Sequence, residues 1–449
     1  MNDPAFEADL RATVRPLMQR WGMPSLAIAL VGPGREALVS ESLASDATEP
    51  SWFSVASLGK HLTAWAVLRL AEQSRIDLGK PVGVYLPGLP GHWATPTVEQ
   101  LLHHTSGLPE YLTPETVGKI PATREGFIEA YQDLPLAFAP GQAWIYTNTN
   151  YILLGMLVAE VSGSSYGNYL HQALASVGVS GVAVASPEWV VATNAAFDHQ
   201  QAANIKAPVD TALHTETDTD SRQREVIGDG DIAFTAHGAL QWLLALTDGR
   251  LLRPAMQNVF FKPYTLASGR LSCYAPGWFT EPLKGQWFAH HAGHFNGWTA
   301  MGIVHPAQRT GVIAMCNHAP GHTRFIRYLA QMALERFAPG STPLSLAPID
   351  PQDRAFEQQF RSQFLRPLGK ESDPAQFANE LRLVTEHGSP VRTVPNLWNA
   401  QEQATISVVE DVSLLGSRFR RMRLTYPHRV EHFLVGTTPQ DQIHWAWGL

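Results

Sequence analysis

Residues 54–60 read Ser-Val-Ala-Ser-Leu-Gly-Lys, and the Ser57-x-x-Lys60 spacing within them is the most informative feature of the chain. Ser57 is predicted in the first turn of a helix, with the amine of Lys60 one turn later on the same face. The positive end of the helix dipole would there stabilise a serine alkoxide or an acyl oxyanion. The helix itself is predicted from apolar residues at spacings of three and four, Leu58, Leu62, Trp65 and Leu68.

The Ser-x-x-Lys pair alone is weak support for catalysis, because the spacing occurs by chance and serine is an ordinary helix N-cap. Two later segments strengthen it. Residues 140–155 read Pro-Gly-Gln-Ala-Trp-Ile-Tyr-Thr-Asn-Thr-Asn-Tyr-Ile-Leu-Leu-Gly, which places Tyr146-x-Asn148 in a loop that opens an apolar helix. Residues 291–297 read His-Ala-Gly-His-Phe-Asn-Gly, which places His291-x-Gly293 just before an apolar, strand-like stretch.

Ser-x-x-Lys, Tyr-x-Asn and a basic-x-Gly triplet, in that order, resemble the motifs of the serine β-lactamase and penicillin-binding-protein superfamily. The chain is most similar to the class C-like branch, which includes esterases and D-aminopeptidases, over roughly residues 5–338. The resemblance implies an α/β, two-lobed serine β-lactamase-like fold, with an antiparallel sheet flanked by helices, an all-helical lobe, and the site between them. The segments that carry it are 53–86, 101–109, 140–163 and 228–236.

The sequence predicts two domains joined by a linker. Residues 1–338 form the catalytic domain, with a helix over 6–21, early strands, a helical middle and strands that return before residue 317. Residues 339–351 contain four prolines and predict the linker. Residues 352–449 begin with a short helix and continue as strand-like segments, one of them over 380–386, which predicts a small β-barrel. That barrel resembles the lipocalin-like domains of D-aminopeptidase-like members and of penicillin-binding-protein-type thioesterases.

The resemblance assigns Ser57 as the nucleophile. Lys60 either takes its proton or lowers the pKa of Tyr146, which at its ordinary value of about 10 is a poor base. Tyr146 is predicted as general base in acylation and as the acid that protonates the leaving group, but the sequence leaves the first proton acceptor open. Asn148 offers a donor and an acceptor, which suits it to orient Lys60 and to grip a substrate amide.

The third motif departs from the usual pattern. His291 stands where penicillin-binding proteins and β-lactamases usually have lysine, so a group whose charge depends on pH replaces a fixed cation. Recognition of a carboxylate, as in β-lactams, is therefore not expected from this position. By resemblance, the oxyanion hole consists of the backbone N–H groups of Ser57 and His294, and Gly293 belongs to the substrate-binding triplet.

Arginines crowd one pair of the predicted C-terminal strands. A solvated face of the barrel is the favoured interpretation. If the barrel leans over the cleft, one of these arginines is predicted to clamp a substrate carboxylate in bidentate fashion. The arginines are Arg418, Arg420, Arg421, Arg423 and Arg429.

Competing motifs predict other chemistry less well. Ser165 lies in a Gly-x-Ser-x-Gly motif, but it follows a helical run instead of a strand, so Gly163 is interpreted as a helix C-cap. His290, His291 and His294 lack the helical spacing of a zinc site, and no metal or other cofactor is predicted.

Composition excludes several classes of function. A net charge of −7 without a long basic run argues against nucleic acid as a partner. No stretch approaches the roughly 18 apolar residues of a membrane span, and the acidic N-terminus lacks the apolar core of a secretion signal. Two cysteines, Cys273 and Cys316, suggest inert thiols in a reducing cytoplasm, which is the predicted location.

The sequence thus predicts a serine hydrolase that cleaves an amide or ester bond of a small or peptidic substrate through a Ser57 acyl-enzyme. One alternative is an acyltransferase or peptide cyclase of the penicillin-binding-protein-type thioesterase kind, which would release nonribosomal peptides. Its donor would be a carrier-protein-bound peptide thioester instead of a small-molecule or peptide acyl donor. The other alternative is a non-catalytic binding or sensor module on the same scaffold.

Overall fold

The described residues of the computed structural model form a mixed α/β protein with a separate C-terminal sheet. They are residues 3–43, 52–113, 116, 120–184, 225–295, 298–317, 323–349, 354–364, 375, 378, 405–414, 417–426 and 430–448. The helices are α1 (Pro4–Trp21), α2 (Lys60–Glu72), α3 (Gly91–Ala94), α4 (Val98–Leu102), α5 (Arg124–Tyr131), α6 (Asn148–Ser162), α7 (Tyr166–Ser176), α8 (Ala236–Thr247), α9 (Pro254–Phe261), α10 (Arg324–Phe337) and α11 (Arg354–Phe364). The strands are β1 (Ser25–Gly32), β2 (Arg35–Ser42), β3 (Trp52–Ser54), β4 (Val182–Val184), β5 (Ile232–Thr235), β6 (Tyr274–Ala275), β7 (Trp278–Leu283), β8 (Gln286–Phe295), β9 (Trp298–His305), β10 (Thr310–Cys316), β11 (Thr405–Leu414), β12 (Ser417–Thr425), β13 (Val430–Thr437) and β14 (Ile443–Gly448).

The first helix shows how local chemistry fixes an element. The side chain of Asp3 accepts a hydrogen bond from the Phe6 N–H, and Pro4 occupies the first helical position, where no N–H is needed. Gly22 ends the helix in the left-handed conformation at φ 65°. The helix therefore begins at Pro4, two residues before the predicted start.

The main sheet is antiparallel, in the order β2-β1-β10-β9-β8-β7-β6. Side chains alternate between its two faces, because successive residues of a strand point in opposite directions. Leu26, Ile28 and Leu30 pack in one core cluster with residues of α1 and α10. Ala27 and Ala29 belong to a second cluster, which includes the helical lobe. The sheet is therefore covered by terminal helices on one face and by the helical lobe on the other, which confirms the predicted class.

The helical lobe centres on α6, which is buried nearly all round. Tyr151, Ile152, Leu153 and Leu154 are each 0% exposed. A helix that is apolar on every side needs neighbours on every side. Gly155 shows how close they come, since a Cβ there would lie 1.8 Å from the Ile227 carbonyl oxygen.

The C-terminal part contains the antiparallel sheet β11-β12-β13-β14, against which α11 packs through Phe356 and Phe360. Lys284 in the catalytic part donates its backbone N–H to Glu410 of β11, so the two parts are in contact. Its Nζ donates to Ser345, in the segment between them. The closed barrel and the domain boundaries stay predictions. The strand predicted over 380–386 lies outside the described residues. Within the described ranges, no helix combines the length and the apolar character needed to cross a membrane.

Candidate active site

Ser57 lies in a 3-10 turn, Ala56–Gly59, and α2 begins only at Lys60. The prediction that Ser57 lies in the first turn of the α-helix is therefore wrong, because Ser57 lies in the 3-10 turn directly before α2. The backbone of this turn is unusual, because Ala56 has a left-handed φ of 45°. A Cβ on Gly293 would lie 1.8 Å from the Val55 carbonyl oxygen. Strand β8 thus presses directly against the segment that carries Ser57, which explains the glycine at this position.

Lys60 connects two of the three motifs. Its Nζ donates to the Ser57 Oγ at 3.1 Å, to the Asn148 Oδ1 at 2.8 Å and to the backbone carbonyl of Asp229. All three acceptors are neutral oxygens, and Lys60 is 0% exposed. Burial lowers the pKa of Lys60 to about 8, against the opposing effect of the carboxylates of Asp229 and its neighbours.

Tyr146 completes the polar centre. The Lys60 Nζ lies 5.0 Å from the centroid of the Tyr146 ring. Burial holds the pKa of Tyr146 well above its usual value, while the nearby Ser57 hydroxyl acts in the opposite direction. In this site Lys60 therefore loses its proton at a lower pH than Tyr146 does.

His291 is held in its neutral form. Its Nδ1 lies 2.7 Å from the carbonyl oxygen of Ala292, to which it can only donate, and its Nε2 lies 3.2 Å from the hydroxyl of Tyr274, which then donates. Burial, and next the charge of Lys60, keep the pKa of His291 well below its usual value. The third motif therefore supplies no cation.

Two carboxylates that the sequence analysis did not single out lie near Lys60. Glu110 accepts backbone N–H groups from Asn148 and Leu112, each at 2.9 Å, and burial raises its pKa to about 7. Asp229 accepts a hydrogen bond from the hydroxyl of Tyr111 at 2.9 Å. Glu110 directly follows the segment 101–109, and Asp229 lies within the segment 228–236; both segments carry the resemblance. This proximity is the signal that could have identified the two carboxylates.

His294 lies on β8 opposite Thr299 of β9, one residue after Gly293. Ser165 caps α7 by accepting from the Asn168 N–H, and Gly163 is the left-handed C-cap of α6, as predicted. In the described part of the chain, no group of three or more His, Cys, Asp or Glu residues could hold a metal ion.

Four of the five predicted arginines lie on β12, and each of these four has a partner. Arg418 pairs with Asp411 at 2.6 Å, Arg420 lies over the Phe356 ring at 4.1 Å, and Arg423 donates to a backbone carbonyl. Arg420 and Arg421 are 1% and 0% exposed, so a solvated face is wrong for these two, because carboxylates or an aromatic ring cover them. Arg429 lies outside the described residues. The substrate clamp stays a prediction.

Comparison with known proteins gives a family and a fold. The profile of the beta-lactamase family matches residues 10–336. A penicillin-binding protein of Bacillus subtilis (strain 168) is 27% identical over 280 residues, 60% of this chain and 61% of that protein. Protein flp of Staphylococcus aureus (strain NCTC 8325 / PS 47) is 23% identical over 281 residues, 59% of this chain and 52% of its own length. The chain thus spans less than two thirds of these relatives.

Solved structures show the same fold at low identity. D-amino acid amidase from Ochrobactrum anthropi SV3, complexed with L-phenylalanine amide, has a TM-score of 0.57 at 22% identity and covers 74% of this chain and 98% of its own. A class C beta-lactamase has a TM-score of 0.57 at 18% identity, over 75% of this chain and 98% of its own. The octameric penicillin-binding protein homologue from Pyrococcus abyssi has a TM-score of 0.56 at 16% identity and covers 97% of this chain and 94% of its own.

Proposed function

This chain belongs to the beta-lactamase family, and from that premise we propose that it is a serine hydrolase that cleaves an amide or ester bond through an acyl-enzyme at Ser57. One observation carries the proposal. The Lys60 amine is fully buried and donates to the Ser57 hydroxyl, yet its direct acceptors are neutral oxygens. A lysine in such surroundings can lose its proton near neutral pH and then accept another from serine.

Lys60 is the first proton acceptor in this mechanism. With a pKa of about 8, roughly a tenth of the molecules carry a neutral amine at pH 7. The Ser57 oxygen attacks the substrate carbonyl carbon, and its proton passes to Lys60. The phenol of Tyr146 remains protonated and gives its proton to the departing amine or alcohol, after which Lys60 restores it. Water then hydrolyses the acyl-enzyme by the reverse sequence.

The proposed oxyanion hole is formed by the backbone N–H groups of Ser57 and His294. A tetrahedral intermediate places negative charge on the former carbonyl oxygen, which needs fixed donors. The approach of β8 to the Ser57 segment at Gly293 is the geometry that supports this assignment.

The charges around Lys60 favour a substrate with a free amine close to the scissile bond. Asp229 and Asp231 act on Lys60 as negative charges, Glu110 does so in its ionised form, and His291 is neutral. A substrate carboxylate would therefore meet more negative than positive charge. Small amino acid amides or peptides with a free N-terminus fit this site better than β-lactams, in line with the D-amino acid amidase among the structural neighbours.

The experiment that tests this proposal compares wild type with Ser57→Ala on D- and L-amino acid amides, short-chain esters and a peptidyl thioester. Release that requires Ser57 and goes to water supports the hydrolase, and faster turnover of substrates with a free amine than of their N-acetyl forms supports the charge argument. Product that carries an added amine would favour the acyltransferase alternative. Release that persists in Ser57→Ala would contradict the proposal.

A further inference from the structure

A buried ionic cluster joins the C-terminal sheet to the catalytic part. We call Arg421, Glu281, Glu410 and His290 the Arg421 cluster. The Arg421 Nη1 lies 2.6 Å from the Glu281 Oε2, and its Nε lies 3.0 Å from the Glu410 Oε2. The Glu281 Oε1 lies 3.0 Å from the His290 Nε2. Arg421 and Glu281 are both 0% exposed, so water does not replace either partner if the other is lost.

The C-terminal sheet is built to present two members of this cluster together. Glu410 on β11 and Arg421 on β12 are direct cross-strand partners. A register shift between Val408 and Glu410 marks a β-bulge, a feature that re-aims side chains. As a result Val408, Val409 and Glu410 are all buried, and Glu410 also accepts the backbone N–H of Lys284.

The cluster contacts β7 and β8, two neighbouring strands of the main sheet, of which β8 carries His291. Arg421 donates to the backbone carbonyl of Pro282 at 2.6 Å as well as to Glu281, both on β7. Glu281 in turn holds His290 on β8, the residue directly before His291. Both strands are therefore fixed by one guanidinium from the C-terminal sheet, whose planar fork suits several acceptors at once.

Packing continues from the cluster to the polar centre through Phe279. Its ring stacks on His290 at 5.6 Å with an interplanar angle of 15°. It also lies 6.2 Å from the ring of Tyr146 at 8°, and 5.2 Å from His291. A shift of His290 would therefore be transmitted to both Tyr146 and His291.

The site has little tolerance for such a shift. Gly293 lies so close to Val55 that a Cβ there would overlap the Val55 carbonyl oxygen. Strand β8 therefore cannot move closer to the Ser57 segment. Donors to an oxyanion act only within a few tenths of an ångström of their correct distance. The position of β8 therefore decides how well a His294 N–H can serve Ser57.

We propose that Arg421 is a positioning residue: the C-terminal sheet uses it to hold β7 and β8 in the register that the acyl-transfer site requires. The inference rests on the proposed function, because it concerns the same Ser57 site. It also gives the C-terminal sheet a role as a support for catalysis.

The test measures phosphonylation of Ser57 by a fluorophosphonate, a reaction in which the Ser57 Oγ–P bond forms, fluoride leaves and the serine proton passes to the enzyme. Arg421→Met, checked for folding by circular dichroism, is expected to lower the labelling rate and kcat by about tenfold to a hundredfold with KM within about twofold. Arg421→Lys keeps the charge and is expected to recover part of the loss. Arg250→Met, which removes an exposed arginine paired with Asp248, is the matched control and should match wild type.

A folded Arg421→Met variant that labels and turns over at the wild-type rate would overturn the inference, as would a rise in KM alone. If Arg421→Met does not fold, the outcome is decided by Arg421→Lys and Glu410→Gln, which must both be slower than wild type per folded molecule. Failure of the proposed function looks different, because wild type itself would then neither label at Ser57 nor turn over.

Discussion

Lys60 and Arg421 are both cations with no exposed surface, yet their surroundings differ. The amine of Lys60 is met by a hydroxyl, an amide oxygen and a backbone carbonyl. The guanidinium of Arg421 is met by two carboxylates. Burial without a directly bonded carboxylate lowers the pKa of Lys60 to about 8, so this cation can exchange a proton. The partners of a buried cation therefore decide whether it can act in catalysis or has a structural role, and burial alone does not distinguish the two.

The largest effect is expected from removing the exchangeable cation. Lys60→Met should lower kcat/KM by about 10⁴-fold, because the Ser57 proton then has no acceptor of suitable pKa. Steady-state kinetics on the best substrate measures this loss, with Arg250→Met as a control for removal of a cation. A variant that retains more than about a tenth of wild-type kcat/KM would show that Tyr146 alone can accept the proton.

Asn148→Asp would make Lys60 resemble Arg421 by giving it a carboxylate partner. The negative charge favours the ammonium form and raises the pKa of Lys60. Since only the neutral amine accepts a proton, the acidic limb of the kcat/KM profile should move up by about one to two pH units. Activity at pH 7 should fall by about tenfold or more and recover at higher pH. A uniform loss at every pH would instead assign Asn148 to substrate binding.

Asp229→Asn should make Lys60 less like Arg421, because it removes a nearby negative charge. The effect should be smaller than that of Asn148→Asp. Asp229 is the largest of the charges that raise the pKa of Lys60, so its removal should lower that pKa and move the acidic limb down by about half a unit. The amide still accepts from Tyr111, so the fold should persist. The pH profile from the same assay checks this. A limb that moves up would contradict the assigned sign.

Part of this contrast was predictable from sequence and part was not. The three-residue spacing of Ser57 and Lys60 predicts a contact that the structure shows at 3.1 Å, because local helical geometry sets it. The strand pattern around Arg421 was visible as well. The burial of Arg421 was not predictable, because it depends on contact with Glu281, which is 140 residues away in sequence. The effect of Glu110 on Lys60 was not predictable for the same reason, since it arises only when the chain folds, although Glu110 directly follows a segment that carries the resemblance.

The most direct test of the central claim is the pH dependence of Ser57 phosphonylation in wild type, measured from about pH 6 to 10 with peptide mapping of the label. We predict a label on Ser57 alone and a second-order rate constant that rises with pH through about 8, where Lys60 loses its proton. A label on another residue, or a rate that is flat across pH 8 and rises only as Tyr146 ionises, would contradict a lysine-activated serine.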